Sequence, residues 1–169
     1  MKDELQMFLE TWERETQVTL ALMRSLPRDQ YDFRPDAEGR SLGELAWHLA
    51  EIDGYMTHGI EAGRLEIGTK VPGLERPRTV DALAPGFERV HDDAAARVRK
   101  LRAEDLERKV QFFDGRAVPV RDMLWSTILL HSVHHRGQLA LLTRQAGGTV
   151  PRIFGPSRED TAAMRAARA

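Results

Sequence analysis

The stretch LLHSVHHRGQLALLTRQAGG, Leu129–Gly148, decides how this chain is read. It sets His131, His134 and His135 close together, follows them with Arg136, Gly137 and Gln138, and ends on two glycines. An α-helix turns about 100° per residue, so His131 and His135, four apart, point within about 40° of each other. Steps of four and three along that face give Leu124, Ile128, His131, His135, Gln138 and Leu142, a bundle seam with polar residues at its centre. The spacing therefore predicts that His131 and His135 point into a helical core. His134 falls in the neighbouring row with Met123, Thr127, Leu130 and Leu141, a row suited to another helix or a partner subunit. The pairing of His131 with His134 also lies on one face, and spacing alone leaves it open.

Outward from this stretch the helix extends from Val120 to Gln145, because Pro119 suits a helix start and Gly147 and Gly148 close its end. Upstream, KVQFFDGRAVPV flanks Asp114-Gly115 with apolar residues, which predicts a small two-stranded hairpin or loop excursion before the last long helix. Residues 3 to 25 carry Leu5, Phe8, Trp12, Thr16, Thr19 and Met23 at helical steps, and Pro27 stops that run. Ser41 with Glu44 forms a capping-box pattern, so a second helix begins at Leu42 and runs to Gly63. Leu45, His48, Leu49, Ile52, Tyr55, Met56 and Ile60 form its stripe. A third helix, capped by Thr79, runs through Val80, Phe87, Val90 and Leu101. Pro156-Ser157 suits the start of a short terminal helix. The chain, residues 1–169, thus reads as one all-α domain, an up-down four-helix bundle, with no internal repeat.

His48 lies on the buried stripe of the second helix, so three inward histidines are expected from two helices that can pack about 8 to 10 Å apart. Three buried neutral imidazoles each need partners for a donor and an acceptor, and one shared cation satisfies the acceptors together. Spacing alone leaves a second reading open, in which they are core histidines bonded to carbonyls. Glu44 and Gln138 are candidates to orient the rings, although the capping box already accounts for Glu44. Arg136 reads as a surface arginine and Gly137 as a helix-packing glycine, while His58 and His91 read as helix-surface residues. Trp47, Tyr55 and Trp125 read as packing.

Composition narrows the chemistry. Lys plus Arg (25) nearly balance Asp plus Glu (26), so no excess charge draws a nucleic acid or an anionic membrane. The chain has no cysteine, which excludes disulfides, thiolate metal sites and a cysteine nucleophile of its own. No stretch reaches bilayer length and the acidic N-terminus lacks a signal-peptide pattern, so a cytoplasmic location is expected.

The residues LLHSVHHRGQLALLTRQAGG, with His48 inside SLGELAWHLAEIDGY, resemble the DinB-like superfamily of metal-binding helical bundles, which includes YfiT-type proteins and bacterial thiol transferases. The resemblance spans essentially the whole chain. It implies a four-helix bundle whose divalent metal is held by His48, His131 and His135, with zinc ranked first and nickel second. It also implies dimerisation through bundle faces and a thiol S-transferase-like reaction on a small-molecule substrate, with a low-molecular-weight thiol as partner. A non-catalytic metal or small-molecule binding protein of stress response and a metal-dependent hydrolase are the alternatives. No catalytic side chain is assigned.

Overall fold

The computed structural model describes residues 3–168. Helix α1 (Glu4–Arg24) starts at Asp3, whose carboxylate accepts from the Gln6 amide, and exits through Ser25. Helix α2 (Leu42–Ala62) carries the full capping box between Ser41 and Glu44 and stops at Gly63 in the left-handed region. Helix α3 (Leu83–Val98) is preceded by one 3-10 turn, Val80–Ala82. Thr79 makes no side-chain cap there, and Pro85 sits in the first turn of α3, where its missing N–H has no carbonyl to serve. The expected hairpin forms from β1 (Lys109–Gln111) and β2 (Ala117–Pro119), antiparallel and in register Val110 to Val118. Gly115 takes φ 85° at its turn, a conformation that suits glycine. Helix α4, residues 120–145, is continuous but not uniform, and its middle segment, Met123–Leu130, is π-helical. Helix α5 (Arg158–Ala166) is capped by Ser157 and Asp160, and Arg144 of α4 grips its Glu159.

These four long helices make the all-α bundle that the apolar spacing predicts. Pairings along the helices give their directions. Trp47, Asp53 and Thr57 of α2 lie against Gly86, His91 and Arg97 of α3, so both helices advance the same way. Trp12 meets His91 and Arg24 meets Glu88, so α1 runs opposite to α3. Glu4 holds Arg121 and Glu15 holds Arg136, so α4 runs parallel to α1. The simple alternation is thereby refined to up, down, down, up. Physically, α2 has 21 residues and spans about 30 Å, and the long connection 63–82 is able to return over that length before α3 begins.

Two apolar clusters fill the bundle. One gathers Leu20, Met23, Leu45, Trp47, Leu49, Leu83, Phe87 and Leu139. The other gathers Phe8, Trp12, Ile60, Ala94, Val98, Met123, Leu124 and Ile128. Between them lies a polar belt of buried Thr16, Thr19, Asp53, His91 and Arg136. His91 therefore departs from the surface reading, since it is 2% exposed and donates or accepts at Asp53 (2.9 Å) inside the core. The sequence shows a lone histidine on α3, but its partner is on another helix.

Candidate metal centre

α2 and α4 deliver the three predicted ligands to one place. One ligand atom from each of His48, His131 and His135 lies within 4.8 Å of the other two. His131 Nε2 and His135 Nε2 are 2.8 Å apart, and the His48 ring stands edge-on to both, 4.6 Å from His135 and 5.7 Å from His131 between centroids. All three residues are half-buried. His134 is exposed, which decides for the pairing four apart. The expectation that His131 and His135 point into the core is corrected in depth, because both are half-buried at its edge.

The other ring nitrogens have their own partners. Gln138 Oε1 lies 2.7 Å from His135 Nδ1, Glu51 Oε2 lies 3.1 Å from His48 Nδ1, and the Thr127 backbone bonds the ring of His131. Carboxylate, carbonyl and amide oxygens only accept, so each of these partners favours the tautomer whose opposite ring nitrogen is free to accept. Free lone pairs facing one another repel, and a cation between them removes the conflict. This donor set fits a divalent ion taking imidazole nitrogen. Burial, with the neighbouring imidazoles adding, pushes His131 down and brings His135 to about 4, which keeps both neutral over the range in which a ligand must be.

Of the two residues suggested to orient the rings, Gln138 does so and Glu44 does not. Glu44 caps α2 and pairs with Arg34 at 2.8 Å and Arg76 at 3.5 Å. Glu51 takes the place expected of it, and its signal was available as an acid three residues after His48. Trp47 is fully buried with Nε1 on the Leu74 carbonyl, and Trp125 Nε1 donates to Glu4, so both pack and bond away from the three rings. Arg136 is corrected from surface to core at 1% exposure, and Gly137 is corrected from packing glycine to a position whose Cβ would meet open space.

Among known proteins, the family model described as the DinB family matches residues 1–167. The chain is 30% identical over 166 residues to the uncharacterized protein YrdA of Bacillus subtilis (strain 168), covering 96% of this chain and 95% of that protein. A crystal structure of a DinB-like protein from Bacillus cereus ATCC 10987 superposes with TM-score 0.73 at 28% identity, over 87% of this chain and 95% of that one. A DinB-like protein from Bacillus subtilis superposes with TM-score 0.71 at 22% identity, over 89% and 98%, and bears on the fold alone.

Proposed function

The chain belongs to the DinB family, and on that premise we propose that it binds a divalent metal through His48, His131 and His135 and uses it in a thiol S-transferase-like reaction on a small molecule. The observation that carries the metal part is the convergence of one ring nitrogen from each of His48, His131 and His135, with the rings of His48 and His135 held from behind by Glu51 and Gln138. When bound, a divalent ion on three neutral imidazoles keeps its charge and an open position, and so stabilises a thiolate or hydroxide near neutral pH. Zinc ranks ahead of nickel. The chain's own part is to orient: Glu51, Thr127 and Gln138 fix the rings. With no cysteine in the chain, the sulfur arrives with the small-molecule partner. The rings are half-buried and not sealed in the core, which supports a catalytic site over a closed, purely stabilising one.

The proposal includes pairing with a second copy of the chain across α4, where Leu130 and Leu141 are 60% and 62% exposed on the row of His134. Light scattering of wild type beside a Leu130→Glu, Leu141→Glu variant checks it, with the dimer expected only for wild type.

Metal analysis of wild type beside His48→Ala, His131→Ala and His135→Ala tests the site. Each variant is expected to lose stoichiometric metal while His134→Ala retains it; full metal in all three defeats the ligand assignment. A screen of small thiols against electrophilic substrates then separates S-transfer from hydrolysis. Consumption of thiol with metal-dependent product supports the first, and cleavage by water without thiol consumption supports the second.

A further inference from the structure

We infer that Arg136, anchored on Glu15 of α1, is a positioning residue that sets the rotation of α4 at which His131 and His135 face His48. The inference rests on the metal reading above and adds the contact that holds two of its ligands toward the third.

The π-helical segment Met123–Leu130 is where the helix changes phase. Its i→i+5 bonds put more residues in each turn than an α-helix does, so the residues that follow lose the phase of those before. The buried residues of α4 are Val120, Met123, Leu124, Ile128 and Leu129 in its first half and Arg136, Leu139, Leu142 and Thr143 in its second, with Ser132 Oγ sealed from solvent. At about 100° per residue, Ser132, Arg136 and Thr143 lie along one side of the buried face beyond the π segment, His131, His135 and Leu142 lie along the other, and Leu139 lies between them. Arg136 is 1% exposed while both histidines are half-buried, so the arginine's side is the more deeply seated of the two.

That position is occupied by a charge with a defined seat. Arg136 Nη2 donates to the Glu15 carboxylate at 2.6 Å, and Nη1 donates to the Glu15 carbonyl at 2.9 Å and to Thr19 Oγ1 at 3.4 Å. The Phe154 ring covers the guanidinium at 5.2 Å. The Glu15 side chain is 12% exposed, so rotating α4 away from this seat would strand a carboxylate and a guanidinium that are both largely out of water. Two donors in a fixed fork resist rotation more than an apolar contact does. His135 is the residue before Arg136 and is about 100° away around the helix, so the seat of one dictates the direction of the other.

The test uses Co2+ alone as the probe, with its visible absorption as a reading of coordination geometry and a competing chelator to give affinity. Arg136→Met with Glu15→Met removes the charges together and leaves an apolar pair that a core can accept. This double variant is expected to stay folded by circular dichroism, to bind Co2+ at least about 10-fold more weakly, and to show a shifted spectrum. Arg136→Lys, which keeps the charge without the fork, is expected to recover part of the affinity. Wild-type affinity and an unchanged spectrum in the folded double variant would overturn the inference while leaving the metal reading intact. Failure of wild type to bind Co2+ through nitrogen ligands overturns the metal reading first and this inference with it. Should the double variant not fold, Arg136→Lys and Glu15→Gln carry the test in its place: weaker binding with shifted spectra supports the inference, and unchanged spectra and affinities in both overturn it.

Discussion

At the scale of the residue, a histidine with a hydrogen-bond acceptor on one nitrogen and two imidazoles near the other has little room for a second proton. His135 at about 4 illustrates this, with burial the leading cause. Its value in the unfolded chain is near 6.5, so between the two values the unfolded state holds a proton that the metal-free folded state rejects. Stability of the metal-free protein is therefore complete above about pH 6.5 and falls as the pH drops toward 4. Urea unfolding at steps across that window is expected to show the decline, and His135→Gln to flatten it; an equal slope in both proteins rules out His135 as the cause. Asp53 and His91 make the opposite kind of pair. Burial raises Asp53, and for His91 the Asp53 hydrogen bond and charge outweigh burial and raise it, so one proton is held between them at 2.9 Å. Asp53→Ala leaves His91 with Thr16 and Glu13 but without its buried carboxylate, and a loss of about 3–5 kcal/mol in equilibrium unfolding is expected.

At the scale of the element, the helices are set by local chemistry and joined by close approach. Serine and aspartate caps start α1, α2 and α5 as their sequences require. The parallel pair α2 and α3 comes together where Gly86 leaves room for the Trp47 ring, since a Cβ there would lie 2.8 Å from a ring carbon. Gly86→Ala improves helix propensity by about 1 kcal/mol, yet overpacking costs about 1–3 kcal/mol, so net destabilisation is expected in thermal or urea melts. A gain in stability would show that the ring shifts freely. Helix α4 has no cap at its internal junctions, and its π-helical segment arises from how it packs, which no residue in MLWSTILL announces.

At the scale of the whole molecule, the histidine triad and the buried polar groups share one level of the bundle. Apolar clusters lie on both sides of that level, so the middle of the fold carries the groups that need partners. A cation bridging α2 and α4 there binds only the folded chain, because the unfolded chain scatters its ligands. Ion in about 100-fold excess over its dissociation constant is expected to stabilise by about 2.7 kcal/mol, seen as a rise in melting temperature that a chelator reverses. The same addition to His131→Ala should leave the melting temperature in place. A comparable rise in that variant would point to binding elsewhere. Among the described residues no helix is long and apolar enough to cross a membrane.

The chain by itself determined its long helices, the Ser41–Glu44 capping box and the hairpin turn, because apolar period and turn chemistry are local properties written in consecutive residues, while the choice of His135 over His134 as the partner of His131 waited on the exposure of His134. It also marked His48, through its place on the second apolar stripe. Tertiary structure alone decided that α2 and α3 run the same way, that Arg136 and His91 are buried, that Glu51 and not Glu44 holds His48, and that His48, His131 and His135 meet half-buried at the edge of the core. Each of these depends on a partner more than thirty residues distant or on a choice between two nearby carboxylates, neither of which periodicity encodes.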